Sequence, residues 1–309
     1  MTTIQNFEQM TSHLAQCGRR IRIAIVCGSD HCTLSVALRT LAEGFGHILF
    51  VGGTQAVQQY EPLTPFMEHV ELVEPDEPDN DMSAARRAVA LVHEGRADVI
   101  MKGLINTDIL LRAVLDKECG LLPKGQVLTH ITVAQIPVLD RLLFFTDAAV
   151  IPYPTHEQRL AQVEYLVKVC RNFGIAEPRI ALTHCSEKVS EKFPHTVEYQ
   201  DILQEAQNGR WGNMIVDGPL DVRTSIDPIA LQTKGIPSPL EGRSDALIFP
   251  DIEAGNTFYK AITFLAGADV AGMLQGPVCP VVLSSRGDNS QDKYYSLAFA
   301  AMTLVGSPQ

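Results

Sequence analysis

The sequence predicts an α/β fold built on parallel β-sheet, and two observations indicate it. Short apolar runs alternate with stretches of helical length and periodicity, an order typical of repeated βαβ units. The chain has 309 residues, of which 46% are hydrophobic and 20% charged, so it can bury a core in one large domain or two smaller ones. Ligands of such sheets gather at the carboxyl ends of strands, where candidate site residues are therefore sought.

The predicted elements keep this rhythm along the chain. Early strands lie in RIRIAIVCG, HILFVGG and ADVIMKG, with helices in LSVALRTLAEGF and TDILLRAVLDK. The middle continues with LLFFTDAAVIP, EQRLAQVEYLVKVCRNFG, RIALTHCS, MIVDGPL and DALIFPDIEAGN. The acidic stretch 74–81 is predicted to be a solvated loop, with cation binding as the alternative. Two late strands, VAGMLQG and PVVLSSRG, precede an apolar helix, whose residues 297–305 are predicted to pack in the core rather than at a subunit contact.

Charge and cysteine content exclude several classes of protein. The 25 Lys and Arg against 36 Asp and Glu give a net charge of -11, which opposes binding to nucleic acid or to an anionic membrane. The seven cysteines are scattered without a C-x-x-C pair, so neither a zinc site nor a disulfide framework is indicated. No signal peptide is recognisable, and no apolar run approaches the roughly 20 residues of a membrane span. We therefore expect a soluble, cytoplasmic protein.

The segment that follows the last predicted strand suits an anion. Residues 285–287 leave the strand, and Asn289 or Ser290 is placed to cap the next helix. An arginine can bind phosphate through two hydrogen bonds, and the first N–H groups of a helix attract negative charge. Arg286 could equally form a buried ion pair, and Asp292 could be the acid of a capping box.

A second candidate anion site follows the strand ADVIM. Lys102 and Gly103 turn the chain, Asn106 and Thr107 cap the next helix, and Arg112 lies on its second turn. A lysine beside a helix N-terminus suits phosphate, whereas a surface lysine beside an ordinary cap has no such role. The sequence leaves both interpretations open.

Acidic residues at other strand ends are less specific. Asp217, Asp251 and Glu253 lie in turn-forming segments and could form surface turns, the wall of a cleft or metal ligands. The adjacent His184 and Cys185 are not predicted to be a nucleophilic pair, since such partners usually meet through the fold. The motifs of P-loop, dinucleotide-binding, zinc-protease and serine-hydrolase sites are all missing from the sequence.

Five motifs, taken together, carry a resemblance to a known family. They are Met101-Lys102-Gly103 with Thr107 and Leu110-Leu111-Arg112, the run RLLFFTDAA at 141–149, Asp217-Gly218-Pro219-Leu220, Asp251-Ile252-Glu253-Ala254-Gly255-Asn256 with Tyr259-Lys260, and Ser285-Arg286 with Asp292-Lys293 and Ser296. Their order and their spread over most of the chain resemble the phosphate acetyl/butyryl transferase family, and its butyryltransferase branch more than its acetyltransferase branch.

The resemblance implies a two-domain α/β/α enzyme of the isocitrate-dehydrogenase-like type, with parallel sheets and an active site in the interdomain cleft. The C-terminal strands and helix would rejoin the N-terminal domain. Domain I would then comprise residues 1–135 and 276–309, and domain II residues 136–275. A homo-oligomer built on dimers is implied as well.

The implied reaction is the reversible transfer of a short-chain acyl group between coenzyme A and inorganic phosphate, with coenzyme A as substrate and without metal or other cofactor. The family's catalytic group corresponds to Ser285, Arg286 and Asp292. Arg286 would orient the phosphate, Ser285 would donate to the developing oxyanion, and Asp292 would take the proton of the thiol. The residues expected to contact phosphate or coenzyme A are Lys102, Asn106, Thr107, Arg112, Asp217, Asn256 and Lys293.

Two positions depart from the family pattern, and two other functions stay open. Asp292 stands where many butyryltransferase-like sequences have a small polar residue, and Asn106 where acetyltransferases usually have serine.

A metal-dependent decarboxylating dehydrogenase of the same superfamily would use Asp217, Asp251 and Glu253 as ligands and bind a nicotinamide cofactor. A non-catalytic metabolite-binding module would retain the cleft without turnover.

Overall fold

The structure, a computed structural model, describes residues 2–283 and 289–307 and divides into two compact units. The N-terminal unit comprises Phe7–Leu128 and Ala271–Val305, and the central unit comprises Thr129–Val270 with short segments from both chain ends. The N-terminal unit is therefore discontinuous in sequence. The domain boundaries expected from the resemblance stay a prediction.

The elements alternate along the chain as the sequence predicts. The strands are β1 (Ile21–Val26), β2 (Gly46–Val51), β3 (Val70–Val73), β4 (Val99–Lys102), β5 (Thr129–Gln135), β6 (Leu142–Thr146), β7 (Arg179–Thr183), β8 (Ile215–Leu220), β9 (Ala246–Ile248), β10 (Asp269–Gln275) and β11 (Val281–Val282). The helices are α1 (Phe7–Gln16), α2 (His31–Ala42), α3 (Thr54–Gln58), α4 (Asp81–His93), α5 (Thr107–Val114), α6 (His156–Asn172), α7 (Pro194–Gln207), α8 (Val222–Ile226), α9 (Pro228–Lys234), α10 (Ile252–Leu265) and α11 (Ser290–Val305), with a 3₁₀ helix over Glu61–His69.

The strands of the N-terminal unit follow the order β3-β2-β1-β4-β11-β10. The pairs β3-β2, β2-β1, β1-β4 and β4-β11 are parallel. Val26 at the end of β1 pairs with Lys102 at the end of β4, and Val282 pairs with Met101. The carboxyl ends of β1, β4 and β11 therefore meet at one edge of this sheet.

The strands of the central unit follow the order β5-β6-β9-β7-β8. The pairs β6-β9, β9-β7 and β7-β8 are parallel. The carboxyl ends of β7 and β9 are adjacent, because Leu182 pairs with Ile248.

Two pairs run antiparallel, which the sequence pattern does not reveal. They are β5-β6 and β10-β11. In each pair a short loop joins the strands, residues 136–141 and 276–280. A parallel pair needs a crossover of a dozen or more residues, so loops of this length permit only the antiparallel arrangement.

Helix α11 is a core helix, as predicted. Tyr294, Leu297 and Phe299 are at most 1% exposed.

A group of side chains distant in sequence, the α2–α11 cluster, connects α11 to α2. Arg39 donates to Glu43 Oε1 at 2.8 Å and to Gln291 Oε1 at 2.9 Å, and its guanidinium carbon lies 3.7 Å from the centre of the Tyr294 ring. The Tyr294 hydroxyl donates to Glu43, which closes the cluster.

The acidic stretch 74–81 is mostly exposed, as expected of a solvated loop, and Asn80 within it caps α4. Within residues 2–283 and 289–307, no helix has both the length and the apolar character that crossing a bilayer requires.

Candidate functional site

Lys102 is a buried lysine at the carboxyl end of β4. Its side chain is 3% exposed, and its Nζ donates to the carbonyl oxygen of Gly103 at 3.3 Å. The sequence left open a surface lysine at this position, and the structure excludes that interpretation. An ammonium group at the carboxyl end of a parallel strand suits an anionic ligand.

The loop after β4 packs directly on the loop after β1. Gly103 N donates to Val26 O at 2.9 Å, and Leu104 N donates to Cys27 O at 2.8 Å. A Cβ atom at position 103 would lie 2.6 Å from the Gly28 Cα, so this approach is open only to glycine. The contact fixes the backbone next to Lys102 and hence the direction in which its side chain starts.

Helix α5 begins where the sequence predicts. Asn106 is its N-cap residue in extended backbone, with φ −65° and ψ 140°, although its side chain makes no capping hydrogen bond to the first turn. Thr107 is the first helical residue. Arg112 lies on the surface, with 73% of its side chain exposed, and forms an ion pair with Asp108 at 3.6 Å. Its contact with the substrate stays a prediction.

The start of α11 carries the predicted base. Asn289 Oδ1 accepts from Asp292 N at 2.8 Å, which identifies Asn289 as the N-cap residue. Asp292 is half-buried in the first turn, and Lys293 beside it is 8% exposed. Ser296 has a structural role, because its Oγ accepts from Gly272 N at 3.0 Å.

Ser285 and Arg286, the predicted phosphate-binding pair, lie outside the described residues. In sequence they stand between β11, which ends beside the end of β4, and the Asn289 cap of α11. Their roles stay a prediction.

The N-terminus of α2, which follows β1, also lies at the sheet edge where β1, β4 and β11 end, and the sequence analysis did not identify it. Asp30 caps α2 through Oδ1, which accepts from Thr33 N at 3.0 Å. Burial raises the pKa of Asp30, but hydrogen bonding by Thr33 and the charge of Lys293 outweigh it, so the pKa lies below its ordinary value. The aspartate that follows β1 through a glycine turn was the available signal.

Two polar atoms at this helix start are orphaned within the described part of the chain. Asp30 Oδ2 and Thr33 Oγ1 are buried and find no hydrogen-bond partner there. Buried polar atoms in proteins normally have one, so these two mark a place where a polar ligand would be bound.

In the central unit, the aspartate of the run RLLFFTDAA has a structural role. Asp147 follows β6 and is 1% exposed. Its carboxylate accepts from Thr129 Oγ1 at 2.7 Å, His130 N at 3.1 Å, Ala149 N at 2.7 Å and Val150 N at 2.9 Å. The carboxylate therefore organises the loop after β6.

Helix α10 supports the same loop. Asn256, a predicted substrate contact, donates from Nδ2 to Ala148 O at 2.9 Å. Gly255 lies so close to the carbonyl oxygen of Asp147 that a Cβ atom would clash. Asp251 caps the helix by accepting from Ala254 N at 2.8 Å. Each of these contacts is structural.

Asp217 lies within β8 rather than at its end, and its Oδ1 accepts from Gly218 N at 2.9 Å. Across the described ranges, no group of three or more His, Cys, Asp or Glu side chains is arranged to hold a metal ion, and that search included Asp217, Asp251 and Glu253.

Two side chains that are not predicted to form a nucleophilic pair lie in contact, and the prediction about their reactivity stays a prediction. His184 and Cys185 do meet, with the Cys185 Sγ 3.5 Å from His184 Nε2, and His195 Nε2 lies 3.2 Å from His184 Nδ1. Neighbours in sequence usually point apart, but here the chain has just left β7 and turns at these residues, which brings both side chains to one side.

Comparison with known proteins gives one family. A family model described as Phosphate acetyl/butaryl transferase matches residues 79–301. A phosphate acetyltransferase from Thermotoga maritima is 33% identical over 92% of this chain and 96% of its own length. A phosphate butyryltransferase from Clostridium acetobutylicum is 33% identical over 91% of this chain and 92% of its own length.

A solved structure agrees. A branched-chain phosphotransacylase from Enterococcus faecalis V583 has a TM-score of 0.80 and 28% identity, covering 93% of this chain and 100% of that chain. The α/β fold with its mostly parallel strands is thus the fold of a phosphotransacylase. From its sequence, its elements and its fold, the chain belongs to the phosphate acetyl/butyryl transferase family.

Proposed function

We propose that this chain reversibly transfers a short-chain acyl group between coenzyme A and inorganic phosphate. The observation that carries the proposal, beside family membership, is the edge of the N-terminal sheet where β1, β4 and β11 end. Buried Lys102 and the first turns of α2 and α11 belong to this edge, and they combine positive charge with helix N-termini.

The chemistry requires a bound phosphate and a stabilised oxyanion. Phosphate attack on the thioester passes through a tetrahedral oxyanion, as does thiolate attack on the acyl phosphate. Arg286 is proposed to orient the phosphate and Ser285 to donate to the oxyanion, with Lys102 and Lys293 as fixed positive charges. Holding both reactants in place supplies much of the rate enhancement.

Asp292 is proposed to take the proton of the coenzyme A thiol in the direction that forms acyl-CoA. A thiol has a pKa of about 8.5 and an aspartic acid one of about 3.9, so the carboxylate must be placed close to the sulfur to act. Its position in the first turn of α11, with its backbone N–H bound by Asn289, supports a fixed placement.

The remaining predicted contacts belong to the same proposal. Asn106 and Thr107 would present the N-terminus of α5 to a phosphate, and the exposed Arg112 would contact a phosphate of coenzyme A. Asp217 and Asn256 are proposed to act from the central unit. The bond from Asn256 to Ala148 supports a role in shaping the loop rather than in direct phosphate contact.

The experiment measures coenzyme A release from acetyl-, propionyl-, butyryl- and isobutyryl-CoA, with and without phosphate. Wild type should release coenzyme A in repeated turnovers only when phosphate is present. Arg286→Gln and Asp292→Asn should each lose the phosphate-dependent rate, by about 100-fold or more for the proposed base. Absence of phosphate-dependent release from all four substrates would overturn the proposal.

The acyl preference should be graded. One methylene more or less in an apolar pocket is worth about 1–3 kcal/mol, so neighbouring chain lengths should differ by roughly 10- to 200-fold in kcat/KM. The similar proteins are named for acetyl, butyryl and branched-chain substrates, which supports the short-chain range without selecting one member.

Cytoplasmic location and assembly from dimers are part of the proposal. All seven cysteines are unpaired thiols, which suits a reducing compartment. Sedimentation of the purified protein would test the assembly, and a monomer at assay concentration would contradict it.

A further inference from the structure

A thiol and two imidazoles form a relay in the central unit, which we call the Cys185 relay. It comprises Cys185, His184 and His195, linked by the 3.5 Å and 3.2 Å contacts given above. His184 is 8% exposed, and its backbone N–H donates to Leu220 O at 2.8 Å, which anchors it beside β8. Cys185 is exposed, so the thiol is open to a reagent.

The contacts are compatible with an arrangement of protons in which His184 acts as a base. If the Cys185 thiol donates to His184 Nε2, then His184 Nδ1 carries a hydrogen and donates to His195 Nε2. His195 must then be neutral. Burial, followed by the nearby His184, lowers its pKa to about 4, so the ring is neutral at neutral pH and one of its two nitrogens accepts. The arrangement is that of a nucleophile, a base and a group that orients the base.

An apolar pocket adjoins the relay. Its volume is about 640 Å³, and the three relay residues help to line it. The apolar side chains around it are Phe193, Val222, Phe249, Ala254, Phe258 and Ala261. The pocket lies beside the carboxyl ends of β7 and β9, where ligands of parallel sheets bind. Its size falls in the range of small-molecule sites.

We propose that Cys185 accepts an acyl group from acyl-CoA. The Cys185 Sγ forms a bond to the thioester carbonyl carbon, and the bond from that carbon to the sulfur of coenzyme A breaks. The thiol proton passes to His184 Nε2 and from there to the departing sulfur. One thioester replaces another, so the step needs no oxidant, reductant or other reactant.

Burial of the acyl chain favours the product. Transfer of a short acyl chain from water into the apolar pocket is worth about 0.8 kcal/mol for each buried CH₂, so butyryl should modify Cys185 more completely than acetyl. The inference rests on the proposed function, because that function makes acyl-CoA the substrate of this protein. It differs from the main reaction in needing no phosphate.

The test incubates the full-length protein with butyryl-CoA in phosphate-free buffer and follows intact mass and peptide masses. We expect one butyryl group on the peptide that contains Cys185, removable by hydroxylamine. Cys119 is the internal control, because it is also exposed but contacts the Asp116 carboxylate at 3.3 Å, which raises its pKa. It should stay unmodified.

His184→Gln should slow acylation of Cys185 by about 100-fold, the lower end of general-base catalysis. His93→Gln is the matched control, since the His93 ring contacts Cys119 O at 3.0 Å and is not part of the relay. It should leave the rate unchanged. Cys185→Ser should remove the adduct while keeping the thermal midpoint, which guards against misfolding as the cause.

Three outcomes would overturn the inference. They are an unmodified Cys185, equal labelling of Cys119 and Cys185, and a His184→Gln variant that reacts as fast as wild type. Failure of the proposed function is recognised separately, because it abolishes phosphate-dependent coenzyme A release in the parallel assay. Release without an adduct on Cys185 would therefore reject only the relay.

Discussion

Asp147 receives hydrogen bonds at both carboxylate oxygens in surroundings closed to solvent. An asparagine in its place would turn an NH₂ group toward N–H or O–H donors. We expect Asp147→Asn to lower the free energy of unfolding by about 2–4 kcal/mol, the cost of leaving buried polar groups unpaired. Chemical denaturation would measure it.

The matched control is Asp227→Asn. Asp227 also accepts from two backbone N–H groups, those of Ile229 and Ala230, but its side chain is 32% exposed and forms a surface ion pair with Arg223 at 3.3 Å. Asparagine caps a helix as well as aspartate, so the change should stay within about 0.5 kcal/mol. Equal losses for both variants would show that burial is not the cause at Asp147.

The charge of Lys293 acts on the Asp30 carboxylate and lowers its pKa, so Asp30 would compete with the proposed phosphate for that charge. Asp30→Asn keeps a capping side chain but removes the negative charge, so the site should hold phosphate more tightly. We expect the KM for phosphate to fall about two- to fivefold, corresponding to about 0.5–1 kcal/mol for a partly exposed charge pair. Steady-state kinetics with Asp116→Asn as control would test this, and a higher KM would contradict it.

Residue identity in the sequence indicated the site only in part. Lys102 and Asp292 could be selected because each follows a strand and borders a helix start. Burial of Lys102 depends on the contact between the loops after β1 and β4, which no local pattern encodes. The same holds for His195, which meets His184 only through the packing of α7 on the sheet.

At the scale of elements, the α2–α11 cluster joins residues about 250 positions apart in sequence. Arg39 binds Gln291, the residue before Asp292, so the cluster holds the turn that carries the proposed base. We expect Arg39→Ala to destabilise the protein by about 1–2 kcal/mol through the lost ion pair, hydrogen bond and cation–π contact. The phosphate-dependent rate should fall further than the unfolded fraction explains.

Arg210→Ala is the control for that prediction. Arg210 has a comparable exposure of 43%, an ion pair with Glu205 at 3.3 Å and a ring contact with Trp211 at 5.4 Å. It should lose less than about 1 kcal/mol and leave the rate unchanged. A rate loss from Arg39→Ala no larger than that from Arg210→Ala would exclude a positioning role.

The period of the hydrophobic pattern predicted most of the strands and long helices, because it reports burial on one or both faces. The direction of β6 and β11 did not follow from it. Loop length contains that information, but only once the strand ends are known. The short β3, α8 and α9 carried too few residues for a periodic signal.

For the whole molecule, the buried His184 and the half-buried His195 predict a loss of stability in mild acid. Burial lowers the pKa of His195 to about 4 and also lowers the pKa of His184, whereas unfolded histidines titrate near 6.5. Between these values the unfolded chain binds more protons than the folded one. The free energy of unfolding should therefore fall as the pH is lowered from about 6.5 to 4.

The pH effect can be assigned with one variant. His195→Gln should flatten the fall between pH 6.5 and 4 in thermal unfolding, while both proteins keep the same pH dependence between pH 7 and 8. Asp221, with its pKa lowered to about 2, loses its contribution only below about pH 4 and so does not contribute to the fall above that pH. Parallel curves for both proteins would contradict the assignment.

Fold class and family followed from the sequence because they depend on many residues in a fixed order. The Cys185 relay did not, since it needs distances between side chains from β7 and α7.

The strands β10 and β11 and the helix α11 are synthesised after the central unit, although they belong to the unit whose other elements are synthesised before it. Nearly all of the central unit is therefore synthesised before the N-terminal unit has all of its elements. During this interval the nascent N-terminal half lacks the buried side chains of α11, such as Tyr294, Leu297 and Phe299, and leaves apolar surface uncovered. Truncation after residue 270 would leave the central unit almost complete. It would remove most of β10, together with β11 and α11, from the N-terminal unit.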